Sequence, residues 1–251
     1  RIRALVLDRY EPPSGPLLFD SGAVWSIYDE AANGWRIECR STMFGETPYK
    51  VATIARDLSA VDVNVRLVGD EATSPIEFPL DELLINALLT ARGGVEIHSC
   101  GVIDRDGSGY LFAGNSGGGK TTTARLWQHE DVDIVSDDRV VLRKEEGEWW
   151  MYGTPWHGEA EICSPSRARL SRIFLLDKST VNSERSLASG AAVARLLSCA
   201  FPPFHDAGGV ESVLGILADL VAAVPASELS FVKDATAIAF VRGLVAEKSV
   251  A

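Results

Sequence analysis

The chain has 251 residues, 35 acidic against 24 basic, giving a formal net charge of −11 with 46% hydrophobic and 24% charged residues. This is the composition of a folded globular protein, sized for one large domain or a small one joined to a larger, and it excludes extensive disorder. The acidic balance argues against nucleic acid or anionic lipid as partner, yet leaves nucleotides open, because backbone N–H groups hold phosphate whatever the overall charge.

The longest apolar stretch, residues 215–224, carries Asp219 and is too short to span a bilayer, so no membrane association is expected. Cys39, Cys100, Cys163 and Cys199 are far apart and form no CxxC pair. Neither a zinc site nor a disulfide framework follows, and a reducing, cytoplasmic setting is expected. The first residues also lack the apolar core of a signal peptide.

Residues 1–92 read as a small β-rich subdomain. Residues 24–29 and 35–40 flank Ala31-Ala32-Asn33-Gly34, whose Asn-Gly step signals a hairpin. Along the second arm Trp35, Ile37 and Cys39 alternate with Arg36, Glu38 and Arg40, and residues 61–67 alternate in the same way. From residue 79 the period changes: Leu83, Leu84, Ala87, Leu88 and Ala91 share a helical face, and Gly93-Gly94 ends it. The second domain, 93–251, is expected to start there.

That domain opens with a strand at 95–104, a turn at 105–109 and a returning strand at 110–113. A glycine-rich loop and a helix over about 120–128 follow, then a strand at 133–136, the pair Asp137-Asp138, and a hairpin of 139–143 with 149–152. A strand at 172–176, helices at 191–200, around 213–221 and near 235–246, and a short strand at 228–232 complete the order. A helix followed by a meander differs from the βαβ crossover that usually surrounds such a loop.

Gly114-Asn115-Ser116-Gly117-Gly118-Gly119-Lys120-Thr121 fits GxxxxGK[ST]. In that pattern the glycines turn successive N–H groups onto phosphates, the lysine reaches the β- and γ-phosphates, and the hydroxyl binds Mg²⁺. The competing reading is a Gly/Ser-rich surface turn, which a strand before and a helix after disfavour. Asp137 and Asp138 leave an apolar strand shortly after the loop. Neighbouring strand residues point to opposite sides, so one can face Mg²⁺ and the other an acceptor hydroxyl. A turn-capping pair is the plainer alternative.

Taken together, His98-Ser99-Cys100-Gly101-Val102, the loop 114–121 and Ser136-Asp137-Asp138-Arg139-Val140 resemble the HPr kinase/phosphorylase family. The likeness covers about a sixth of the chain. It implies a phosphoenolpyruvate-carboxykinase-like α/β fold, a mixed and largely antiparallel sheet carrying a P-loop. It also implies ATP and Mg²⁺ as cofactors, with Gly114 to Thr121, including Ser116, and then Thr122 around the phosphates. By the same resemblance Asp137 is the base toward the acceptor, Asp138 holds Mg²⁺ with Thr121, and His98 orients the aspartates beside Lys120. Homo-oligomers are implied by the resemblance alone.

The departures matter as well. The loop ends Lys120-Thr121-Thr122 where the family has Lys-Ser-Glu, and an EIRGxG-like signature is replaced by Gly153-Thr154-Pro155-Trp156-His157-Gly158-Glu159. Reverse phosphorylase activity and HPr itself as substrate are therefore not implied. Arg139, His157 and Glu159 are candidate acceptor contacts, and Arg167, Arg169 and Arg172 read mainly as a solvated basic face. The expectation is a kinase of a hydroxyl, a serine of a protein or peptide. The alternatives are a small hydroxylated metabolite such as free serine as acceptor, or a non-catalytic ATP sensor. A carboxykinase lyase is disfavoured by chain length.

Overall fold

The computed structural model describes residues 1–22, 24–67, 74–115 and 117–248. Ser116, an expected phosphate contact, lies outside them. The protein is mixed α/β and divides into two compact units, Arg1–Leu88 with Pro203–Gly209, and Leu89–Pro202 with Val210–Ala251.

The first unit holds a six-stranded sheet in the order β1-β6-β5-β4-β3-β2. The strands are β1 (Ile2–Val6), β2 (Leu17–Asp20), β3 (Trp25–Asp29), β4 (Trp35–Cys39), β5 (Lys50–Ile54) and β6 (Val61–Val65). Among the described residues the β1–β6 pair is parallel and the other four pairs of this sheet are antiparallel. Ile27, Ile37, Ala52 and Val63 pair across four adjacent strands, so strict alternation puts them on one face. Leu80 and Leu84 of helix α1 (Leu80–Ala91) join that buried cluster.

The opposite face of β4 departs from its alternation pattern. Glu38, expected outward, is fully buried. Its Oε1 lies 2.8 Å from Arg36 and its Oε2 2.6 Å from Arg40, both two residues away on the same strand face, and the Tyr10 hydroxyl donates to it at 3.2 Å. A buried carboxylate needs such partners, and an isolated strand cannot reveal that Tyr10 will cover it.

The second unit is built on eight strands: β7 (Gly94–Ile103), β8 (Gly109–Ala113), β9 (Asp133–Ser136), β10 (Arg139–Glu145), β11 (Glu148–Gly153), β12 (Arg167–Lys178), β13 (Ser183–Ser186) and β14 (Ala226–Phe231). Their order is β11-β10-β7-β8-β12-β14-β13, with β9 on β7 and a further β11–β12 pairing. The β8–β12 and β12–β14 pairs are parallel and the rest antiparallel. Among the described residues four helices accompany them: α2 (Lys120–Trp127), α3 (Ser189–Leu197), α4 (Ala207–Ala223) and α5 (Thr236–Lys248).

Both faces of the central strands are covered. Leu111, Ala113, Ile173 and Leu175 pack with Leu196, Val213 and Leu217 of α3 and α4. Tyr110, Phe112, Phe174 and Leu176 pack with Ala124 and Trp127 of α2 and with Ile238 and Val241 of α5. Burial on both faces explains why β8 and the middle of β12 are unbroken apolar runs.

Two local features position the site. First, β9 and β10 are one interrupted strand along β7. Gly101 pairs with Ser136 and His98 with Arg139 in a common register, and Ser99 N–H bonds the Asp138 carbonyl between them. Asp137-Asp138 therefore sits within a ladder and not in a free turn. Gly101 makes room for this run, since a Cβ there would meet Val135 Cγ2 at 2.6 Å. Second, α3 ends at Leu197, short of the expected residue 200. Cys199 accepts from His98 N–H at 2.7 Å and Ala200 bridges to Ile97, so β7 draws this segment out of the helix.

Candidate functional site

The glycine-rich loop joins β8 to α2. Gly117 (φ +74°) and Gly119 (φ +113°) adopt left-handed conformations that side chains disfavour. A Cβ at Gly119 would also lie 2.9 Å from Phe231 Cζ, and one at Gly118 2.8 Å from the Asn115 carbonyl oxygen. The chain can turn this tightly only with glycine. At the first turn of α2 the N–H groups of Lys120, Thr121 and Thr122 have no residue four back within the helix to bond, and the helix dipole adds positive potential there.

Lys120 is buried, and its ammonium donates to the carbonyls of Gly114 at 2.7 Å and Asn115 at 3.1 Å. Burial pushes its pKa down, against the pull of Cys199, Asp138 and Cys100. The side chain thus lies folded along the loop, its ammonium held by two carbonyl oxygens.

A cavity of about 410 Å³ lies against the loop, lined by His98, Gly117, Gly119, Lys120, Thr121, Thr122, Asp137, Asp138, Gly158 and Glu159. Residues from β7, the loop, the β9–β10 step and the following connection therefore converge on one space. Gly114, Asn115 and Gly118 line a second cavity of about 370 Å³ on the loop's other flank, with Asp177, Lys178, Arg195, Ser198 and Cys199. These last five were missed in the sequence; the only available signal was the polar Asp177-Lys178 step ending the apolar run of β12.

The two aspartates differ sharply. Asp137 is 2% exposed, and its carboxylate accepts backbone N–H bonds from Gly158 (2.8 Å), Ala160 (2.8 Å) and Ile162 (3.4 Å). It therefore pins the connection between β11 and β12. Gly158 is required for this closeness, since a Cβ there would lie 2.9 Å from Asp137 Oδ2. Asp138 is partly open, with Oδ1 3.2 Å from His98 Nε2 and Oδ2 3.2 Å from Arg139 Nε. The His98 hydrogen bond, helped by the charge on Arg139, holds the Asp138 carboxyl below the usual range although burial opposes this.

Ser136, fully buried, organises the step. Its hydroxyl donates to the Trp156 carbonyl and accepts from the N–H groups of Asp138 and Arg139. Two of the three expected acceptor contacts, His157 and Arg139, fall elsewhere, while Glu159 lines the cavity. His157 is exposed, with Nδ1 3.2 Å from the Gly158 carbonyl, and neither it nor Arg139 lines the cavity. Arg172 is buried against Glu184, while Arg167 and Arg169 are exposed beside Glu145 and Glu148.

Thr121 and Asp138, a hydroxyl-bearing and a carboxylate-bearing residue, both line this cavity. Among the described residues no three His, Cys, Asp or Glu side chains are grouped to hold a metal unaided. One or two protein oxygens completed by substrate phosphates is the usual way Mg²⁺ is bound. No family model matches the chain, and no curated protein matches it either. No helix among the described residues is long and apolar enough to cross a membrane.

Proposed function

We propose that this protein is a Mg·ATP-dependent kinase that transfers the γ-phosphoryl group to a hydroxyl, a serine of a protein or peptide, on a phosphoenolpyruvate-carboxykinase-like P-loop fold. The observation that carries it is the convergence of Lys120, Thr121, His98, Asp137 and Asp138 on one cavity beside a left-handed glycine loop. Each part matches a need of phosphoryl transfer, which is chiefly positioning and charge stabilisation.

Loop and first-turn N–H groups hold the phosphates, and Lys120 exchanges the Gly114 and Asn115 carbonyls for phosphate oxygens. Mg²⁺, held by Thr121 and Asp138, supplies neutralisation of phosphate charge. An ionised carboxylate has about four acceptor positions, and the loop occupies three of those on Asp137. The fourth orients the acceptor hydroxyl and takes its proton as the new O–P bond forms and the bond from the γ-phosphorus to its bridging oxygen breaks.

One observation favours a second reading, a nucleotide sensor without turnover: Asp137 already serves as the anchor of residues 158–162. The two are separated by incubating the protein with γ-labelled Mg·ATP and a cell lysate beside a Lys120→Ala control. Label in protein or peptide, lost in the control, is the expected result. Label only in a small metabolite would move the acceptor class. Binding without label above the control would leave the sensor.

A further inference from the structure

Arg139 opens β10 and pairs across the sheet with His98 on β7. Its guanidinium is enclosed, with 18% of the side chain exposed. Nε lies 3.2 Å from Asp138 Oδ2, and Nη1 lies 3.8 Å from Oε1 of the fully buried Glu96. Its faces meet the rings of Phe201, centred 4.7 Å away, and Trp156, 5.4 Å away. These partners come from three separate segments: Glu96 from β7, Trp156 from the connection after β11, and Phe201 from the stretch that β7 draws out of α3.

Asp138 is consequently gripped at both oxygens, by His98 on Oδ1 and by Arg139 on Oδ2. A carboxylate held at both ends has its plane fixed, so the face it turns to the cavity is set by its neighbours. The guanidinium suits this because its planar fork serves two carboxylates in one plane while its faces stack on rings. Lysine keeps the charge and the ring contacts but has no fork.

We infer that Arg139 is a positioning residue for phosphoryl transfer, which orients Asp138 within the cavity and makes no contact with the acceptor. This rests on the kinase reading above. Misplacing a reacting or metal-holding group by about 1 Å costs about 10²-fold in rate, so the consequence is measurable without unfolding the site.

The test compares wild type, Arg139→Lys and Arg139→Met for kcat and KM, and records histidine NMR spectra without nucleotide, with His98→Gln identifying the His98 signal. Arg139→Lys keeps charge and ring packing, so it serves if the methionine variant fails to fold. The expected result for Arg139→Lys is a kcat lower by about 10²-fold, with KM for ATP and acceptor unchanged and the His98 signal displaced. Wild-type kcat with an unmoved His98 signal overturns the inference. A raised acceptor KM at unchanged kcat overturns it too, and makes Arg139 an acceptor contact. A wild-type protein that binds ATP but transfers nothing removes the kinase reading itself, and this inference with it.

Discussion

If the protein is the kinase proposed above, Asp137→Asn is expected to slow phosphoryl transfer about 10³-fold while leaving ATP affinity within about threefold of wild type. The rate falls for two reasons that act together. The amide cannot take the acceptor's proton, and its NH₂ group faces N–H donors of Gly158 or Ala160 where the carboxylate accepted them. A buried donor left without an acceptor costs about 1–3 kcal/mol, enough to loosen residues 158–162. Affinity is expected to persist because, among the described residues, the glycine loop and Lys120 make no bond to Asp137. Single-turnover transfer and calorimetric titration measure the two quantities separately. Near-wild-type transfer in this variant would restrict Asp137 to anchoring the loop.

In the first unit, Glu38→Ala is expected to lower stability by about 3 kcal/mol, read from the denaturant midpoint at unchanged slope. Removing one partner of a buried ion pair strands the other charges. Here the stranded charges are Arg36 and Arg40, both directed at Glu38 from neighbouring positions. Their side chains are 14% and 29% exposed, so partial escape to water keeps the loss near the lower end for buried pairs. Glu38→Gln, which still accepts from Arg36 and Tyr10, should lose less. A loss under about 0.5 kcal/mol for the alanine variant would place this cluster with ordinary surface ion pairs.

Features that depend on a short stretch of chain were legible before the structure. The 3.6-residue period of α1, the alternation of β6 and the unbroken apolar β8 each follow from burial of one face or both. The glycine loop was legible because left-handed Gly117 and Gly119 leave a mark that few other structures require. What depended on distant partners was not. β13 is polar and exposed, so it carries no apolar signal, and it exists because it pairs with β14. The burial of Glu38 needs Tyr10, twenty-eight residues away. The enclosure of Arg139 needs Glu96, Trp156 and Phe201 together, and the early end of α3 reflects a bridge to β7. At the site, the sequence brought His98, Lys120, Thr121 and the two aspartates to notice, but nothing in the order Asp-Asp shows that one carboxylate is tied to three backbone N–H groups.

The most direct test of a nucleotide-phosphate site completed by Asp138 is calorimetric titration of the whole protein with ATP, with and without Mg²⁺, in wild type and in Asp138→Asn. The expected result is stoichiometric binding that Mg²⁺ strengthens about tenfold in wild type and by less than about twofold in the variant. No binding of ATP by the wild type, or an equal benefit from Mg²⁺ in both proteins, would contradict it.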